Sequence, residues 1–290
     1  MNRWRKNRRT AAVEETPPHH EDGGRKRVRR FQPPPLHLLL RPFSSLAAAL
    51  RFLTLLPLPG RVGSSEEALA HAAPFFPLVG LLLGCIAAPA AHILFLLLPP
   101  LPAAVLLTFL LLSFSGGLHL DGLADTADGF FSARSPERML EIMKDPNIGT
   151  MGAAALILLL LLKTSCLAAL PADKLLAAAF LMPVAGRTAI LLLMALLPYA
   201  REGGLGSLFA VYFNSSAGWL ASSGGFLLLT WAAYAAIGPS GLIVVLTVLL
   251  LTFLFALLCR CKIGGATGDT LGAACELAEA AAAFAFVLKI

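Results

Sequence analysis

The chain has 290 residues, of which 57% are hydrophobic and only 14% are charged. An ordinary soluble domain carries about a quarter charged residues, so this composition excludes that class of protein. The formal net charge is +6, but residues 1–30 hold ten Lys or Arg against four Asp or Glu, and the rest of the chain is neutral. The positive charge therefore belongs to an N-terminal tail and not to a basic protein body.

Residues 1–45 are expected to form a disordered basic arm that contains the proline run 33–35. Its clusters RWRKNRR and RKRVRR suit either nucleic acid or anionic lipid. The positive-inside rule favours a cytoplasmic arm near the lipid bilayer, with no nucleic-acid partner. Ser44 is predicted to cap a short helix over SLAAALRFLTLLPLP, which contains Arg51. We expect this helix to lie at the membrane interface.

From residue 74 onward, most of the chain consists of apolar runs near the length of about 20 residues that a membrane-crossing helix needs. The predicted fold class is an all-α polytopic membrane protein, with a single domain over 46–290 and about seven transmembrane helices. The predicted spans lie near 74–98, 101–115, 151–170, 175–198, 222–237, 241–258 and 271–289. The proline pair at 99–100 predicts a tight turn between the first two spans.

Three polar segments interrupt the apolar runs, at 116–150, 199–209 and 259–270, and they hold 14 of the 26 charged residues outside residues 1–30. Two predicted crossings separate each segment from the next. Because an even number of crossings returns the chain to the same side, we expect the three segments to meet on one face of the membrane and to form one site.

The first polar segment contains GGLHLDGLADTADGFF, in which Asp121, Asp125 and Asp128 have the spacing i, i+4, i+7. On a helix these carboxylates lie along one stripe and repel one another. A divalent cation would relieve the repulsion, and Mg²⁺ takes carboxylate oxygens while leaving positions for water and phosphate. Solvated charges on a loop are the alternative, although small apolar residues between the aspartates favour packing. His119 either donates a hydrogen bond to a phosphate or acts as a base, or it is a structural histidine.

The stretch ERMLEIMKDPNIGTMG adds Lys144 and Asp145 and predicts a charged helix that ends at Asp145-Pro146. The glycine-rich helix start that follows suits an anion.

Arg187 lies inside an apolar run, where a charged side chain indicates a functional site by default. It either pairs with one of the aspartates or binds a phosphate in a bidentate way.

The stretch GGATGDTLGAACELAE, which begins in the last polar segment, repeats this pattern with a glycine turn and Asp269 near a helix start. Acidic groups from two distant segments, together with a buried arginine, suit a metal-bridged pyrophosphate. The candidate substrate-binding residues are Arg187, Lys144, Asp145, Gly265, Thr267, Gly268 and Glu276.

These stretches, together with the Gly186-Arg187 pair and YAREGGLG, resemble the cobalamin synthase family of adenosylcobinamide-GDP ribazoletransferases. The resemblance runs from about residue 46 to the end. It implies that the ribose 3′-hydroxyl of α-ribazole, or of its 5′-phosphate, attacks the phosphate on the cobinamide side of adenosylcobinamide-GDP, and that GMP leaves. It implies Mg²⁺ as the cofactor. The expected metal ligands are Asp121, Asp125, Asp128 and Asp269, and the expected catalytic residues are these four and His119.

A cation-coupled transporter is the alternative, because intramembrane carboxylates also bind Na⁺ or H⁺. A transporter should carry its acidic groups near the middle of its spans, whereas here they lie at span ends beside glycine turns. A non-catalytic scaffold would leave the clustered acids unexplained. The expected location is the cell inner membrane, with the site on the cytoplasmic face. The preferred lower-ligand base, a homo-oligomeric state and association with other corrinoid-pathway enzymes stay open.

Overall fold

The computed structural model describes residues 36–288, which fold almost entirely into helices. Within that range there is no β-strand, and one isolated bridge joins Tyr199 to Ala266. The all-α prediction is therefore confirmed. The α-helices are α1 (Leu36–Leu53), α2 (Glu66–Ala70), α3 (Phe76–Leu97), α4 (Pro100–Phe114), α5 (Leu118–Phe130), α6 (Pro136–Ile142), α7 (Thr150–Ala168), α8 (Ala172–Leu196), α9 (Ser216–Ile237), α10 (Gly241–Ile263) and α11 (Gly268–Val287). Three 3₁₀ turns cover Ala73–Phe75, Leu205–Tyr212 and Gly238–Ser240.

Five helical stretches of the described chain are long and apolar enough to cross a membrane. One of them covers 48 residues and contains both α9 and α10, which pack against each other. α4 and α5 pass the same test together, but they meet at an angle of 92°, so they form a broken span or a re-entrant loop. The structure confirms a polytopic membrane protein with a turn at the proline pair, whereas the number of seven spans stays a prediction.

The N-terminal boundary differs from the prediction. α1 begins at Leu36, so residues 36–45 are helical and not part of a disordered arm, and Ser44 lies inside the helix instead of capping it. The apolar run continues through Pro42, which a helix tolerates at the loss of one hydrogen bond. The remainder of the predicted arm, 1–35, lies outside the described residues.

α8 and α11 form the centre of the bundle. In each of them, 83% of the most apolar window is buried, against 33% for the stretch that contains α3. α3 approaches α8 through Gly80 and Gly84, a small-xxx-small spacing that lets helix backbones come close. A Cβ at Gly80 would collide with the carbonyl of Pro183, and a Cβ at Gly84 with that of Phe180.

A buried ion network ties α11 to α7 and α8. The Lys163 ammonium donates to Glu276 at 2.6 Å and to Glu279 at 2.8 Å, and the Arg187 guanidinium donates to Glu279 as well. All four side chains are at most 4% exposed. Two cations and two carboxylates balance in charge, which offsets the cost of placing each ion in an apolar bundle.

The close contact between α3 and α8 can be tested at one glycine. Gly80→Val should destabilise the protein by about 1–3 kcal/mol or more, because the new side chain has to displace backbone atoms of α8. Gly224→Val is the control, since a Cβ at that helical glycine meets nothing within 4 Å. Thermal unfolding in detergent should show a loss for the first variant and little change for the second, and equal melting temperatures would contradict the packing.

A second prediction concerns the stability that the ion network provides. Lys163→Met leaves two glutamates without their shared cation, and breaking a buried ion pair in this way costs about 3–5 kcal/mol. Adding Glu276→Gln should recover part of the lost stability. The exposed pair between Arg138 and Glu141 provides the control, because Arg138→Met should cost at most about 1 kcal/mol. A Lys163→Met protein as stable as the wild type would exclude a structural role for the network.

Candidate active site

The three polar segments of the sequence meet at one end of the bundle. The Ala200 N–H donates to the carbonyl of Ala266 at 2.8 Å, and the Ala266 N–H donates to that of Pro198 at 2.9 Å. α5 packs against α11 so closely that a Cβ at Gly122 would lie 2.6 Å from the carbonyl oxygen of Asp269. The prediction that the three segments meet at one place is therefore confirmed for the described chain.

Two cavities open at this end, and they share Leu118, Asp121 and Arg201. The larger cavity, which we call the polar cleft, has a volume of about 770 Å³. Its other polar side chains are Asp125, Lys144, Asp145 and Asn147. The smaller cavity, the aromatic pocket, has a volume of about 280 Å³. It is lined further by Phe52, Phe76, His119, Ile190, Met194, Tyr199, Phe209, Gly268, Asp269 and Leu271.

Asp121 and Asp125 carry the unpaired negative charge of the polar cleft. They lie one turn apart on α5, and within residues 36–288 neither carboxylate has a hydrogen-bond or ion-pair partner. Asp125 lies within electrostatic range of Asp121, Asp128 and Asp269, and Arg201 is the cation that offsets them. The cleft therefore has an excess of negative charge, which favours a bound cation.

Asp128, the third aspartate of the stripe, has its hydrogen-bond partners within the protein. Its carboxylate accepts the N–H of Gly149 at 2.7 Å and the N–H of Gly152 at 2.8 Å, at the start of α7. A Cβ at either glycine would collide with this carboxylate. The anion that the glycine-rich helix start was predicted to bind is thus a side chain of α5, which anchors α5 to α7.

Arg201 is a residue of the candidate site that the sequence analysis did not single out. Its guanidinium lies 3.0 Å from the carboxylate of Asp269, and it donates to the carbonyl of Leu140 at 3.5 Å. Its Nε–H has no partner in the described part of the chain, and the side chain lines both cavities. The sequence could have identified Arg201, because it is the only basic residue in the second polar segment.

Lys144 and Asp145 lie in the turn after α6, which ends at Ile142 and not at Asp145 as predicted. Both residues line the polar cleft. Asp145 accepts the backbone N–H of Asn147 at 2.9 Å and its side-chain amide at 2.8 Å, and these donors hold the pKa of Asp145 below its ordinary value. This carboxylate stays charged near neutral pH and shapes the loop beside Lys144.

Four predicted substrate-binding residues have structural partners and line neither cavity. Arg187 pairs with Glu279 and not with an aspartate, and Glu276 pairs with Lys163, in the buried ion network. Thr267 is buried and caps α11 in a reciprocal pair of hydrogen bonds with Thr270. Gly265 lies against the carbonyl of Pro198, where a Cβ would collide.

Lys163, which the sequence analysis missed, could have been noticed as a lysine inside an apolar run.

The four predicted metal ligands are not gathered around one point. Nowhere in residues 36–288 do three His, Cys, Asp or Glu side chains form a group that could hold a metal ion by themselves. Mg²⁺ is usually bound by one or two protein carboxylates, with substrate phosphates and water completing its shell. The unpartnered pair Asp121 and Asp125 fits that pattern, whereas Asp128 and Asp269 have donors from the protein.

Comparison with known proteins identifies the family. Residues 45–287 match the family model for cobalamin-5-phosphate synthase. A protein named adenosylcobinamide-GDP ribazoletransferase from Roseiflexus sp. (strain RS-1) is 42% identical over 242 residues, which cover 83% of this chain and 88% of that protein. Proteins of the same name from Desulforamulus reducens and Chlorobaculum tepidum are 39% and 43% identical over 85% and 82% of this chain, and over 97% and 92% of their own lengths. No solved structure matches the chain. The chain belongs to the cobalamin-5-phosphate synthase family.

Proposed function

We propose that this protein joins ribazole, or ribazole 5′-phosphate, to adenosylcobinamide-GDP at the polar cleft and releases GMP. The family match over 45–287 carries the proposal, and the relatives are named for this transfer. The transporter alternative has no support from these comparisons. The acidic groups also lie around a cleft at the end of the bundle, as a phosphate-transfer site requires.

The reaction forms a bond from the ribose hydroxyl oxygen to the phosphorus that carries the cobinamide. The bond between that phosphorus and the oxygen bridging to the GMP phosphate breaks, and GMP leaves with the bonding electron pair. Lys144 and Arg201 bring positive charge to the cleft and would bind the phosphate oxygens. Asp269 lines the aromatic pocket and is held by Arg201, so it is placed to accept the proton of the hydroxyl.

Mg²⁺ is the cation that the family implies, and Asp121 and Asp125 are the residues that would hold it. Both carboxylates lack partners in the described chain and face the cleft beside Lys144. When bound, the ion would neutralise charge that develops on the phosphate oxygens. Asp128 is assigned instead to holding the start of α7.

We place the site at the cytoplasmic face of the cell inner membrane. The three polar segments at the site hold six Lys or Arg residues, whereas the short connections at the opposite end of the spans, at 98–99, 169–171 and 238–240, hold none, and Lys174 in the first turn of α8 is the basic residue beside them. The positive-inside rule puts the end with more basic residues in the cytoplasm.

Asp125→Asn tests the assignment of the cleft. The substitution removes one charged oxygen with almost no change in volume, so the protein should fold while GMP release falls by about a hundredfold or more, since each ~1.4 kcal/mol of lost stabilisation is tenfold in rate. Raising the Mg²⁺ concentration should restore part of the rate. Asp173→Asn, at the far end of α8, is the matched control and should keep full activity. A folded Asp125→Asn protein with wild-type turnover would exclude the cleft as the metal-binding site.

Asp128→Asn should have a different effect from Asp125→Asn. It replaces a carboxylate that accepts two backbone N–H groups, and hydrogen bonds to a charged group contribute about 1.5–3 kcal/mol each. The variant should therefore unfold at a lower temperature, which Asp125→Asn should not. Thermal unfolding of both variants in the same detergent measures the contrast. Equal unfolding temperatures would show that the three aspartates play one common role.

A further inference from the structure

We propose that the aromatic pocket binds the flat heteroaromatic base of the ribazole, and that His119 recognises the base by a hydrogen bond to its free ring nitrogen. The inference rests on the proposed function and adds to it the part of the site that selects the base. The pocket joins the polar cleft and has walls suited to a planar ring.

Three phenylalanines form one wall of the pocket. The ring centroids of Phe52 and Phe76 are 6.1 Å apart with the rings nearly parallel, and Phe209 lies 5.3 Å and 5.4 Å from them in tilted and edge-on orientations. Phe76 and Phe209 are buried, so the wall is held by the surrounding core. Stacked and edge-on contacts of this kind are favourable between aromatic rings, and they would extend to the ring of a bound base.

The size of the pocket decides which substrate enters it. A volume of about 280 Å³ is just below the roughly 300–1,000 Å³ that small-molecule pockets occupy. A corrin macrocycle with its side chains cannot fit in this space, whereas a bicyclic base can. The corrinoid and its nucleotide are left with the polar cleft, which has about 770 Å³ and is open.

His119 lies beside the pocket with both ring nitrogens buried and unpaired within the described residues. Its side chain is 3% exposed, it lines the pocket, and neither ring nitrogen has a hydrogen-bond partner in residues 36–288. Buried polar atoms in proteins are nearly always paired, so an orphaned imidazole beside a cavity indicates a ligand that completes its bonding. A benzimidazole nucleoside has one ring nitrogen with a free lone pair, and a neutral imidazole has one N–H to donate to it.

The position of the pocket also accounts for the placement of the hydroxyl. The pocket and the cleft share Asp121 and Arg201, and Asp269 lies on the pocket side of that junction. A base seated against the phenylalanines would leave its ribose at the junction. The attacking hydroxyl would then lie beside Asp269 and face the phosphates in the cleft.

The test compares ribazole 5′-phosphate with the matching indole nucleotide, in which a C–H replaces the free ring nitrogen. The wild-type protein should prefer ribazole 5′-phosphate by about tenfold in kcat/KM for GMP release, which is the effect expected for one hydrogen bond. His119→Leu should lose this preference while still releasing GMP with the indole nucleotide, and His119→Gln, which keeps an N–H donor, should retain part of it. A preference that survives His119→Leu unchanged would overturn the assignment of His119.

A second variant tests the pocket without changing His119. Ile190→Trp fills the cavity and should raise the KM for ribazole 5′-phosphate at least tenfold, while the KM for adenosylcobinamide-GDP stays within about twofold. Ile157→Trp, at a position on α7 that is 58% exposed, is the matched control and should change neither value. If Ile190→Trp raises both KM values equally, or neither, the base does not bind in the aromatic pocket.

Direct binding separates this inference from the proposed function. Calorimetric titration of the full chain in detergent with ribazole 5′-phosphate should show binding that Ile190→Trp abolishes and Ile157→Trp preserves. Such binding without GMP release by the wild-type protein would refute the transfer reaction and leave the base pocket standing. GMP release with unaltered ribazole binding in Ile190→Trp would refute the pocket and leave the transfer reaction standing.

Discussion

The charge balance inside the bundle is the constraint on which the site depends. Lys163, Arg187, Glu276 and Glu279 are each too costly to bury alone in an apolar bundle, and they are accommodated because two positive charges meet two negative ones. The network joins α7, α8 and α11 near mid-bundle. The start of α7 binds Asp128, the chain beyond α8 carries Arg201, and the start of α11 carries Asp269. The helices that the network ties together are thus the ones that position the polar cleft.

The aspartate stripe shows how one sequence pattern serves two purposes. Asp121, Asp125 and Asp128 share a helix face, yet only Asp128 meets backbone donors, because α7 begins beside it with glycines that have no Cβ to block the approach. The other two carboxylates face the cleft without protein partners in the described chain. Anchoring Asp128 to the start of α7 holds α5 in place, and this keeps the remaining pair directed at the cleft.

The two cavities differ in wall chemistry as the two substrates differ in structure. The polar cleft combines carboxylates with Lys144 and Arg201, which suits phosphates and a cation, whereas the aromatic pocket adds three phenylalanines, Tyr199 and His119 to the charged side chains at the junction. They meet at Asp121 and Arg201, so a ligand in each would bring its reactive end to the same place. Proximity of this kind supplies much of the rate enhancement of a two-substrate reaction.

The sequence by itself determined the fold class, since a composition of 57% hydrophobic residues in long runs is compatible only with membrane helices. It also determined that three polar segments share one end of the bundle and that Asp121 and Asp125 belong to it, because span parity and helical spacing are local properties. The tertiary structure decided what those patterns could not. The partners of Asp128 and Arg187 lie 21 and 92 residues away, and the aromatic pocket draws Phe52, Phe76 and Phe209 from three separate elements. Such contacts depend on how helices pack against one another, and no periodicity within a single helix specifies them.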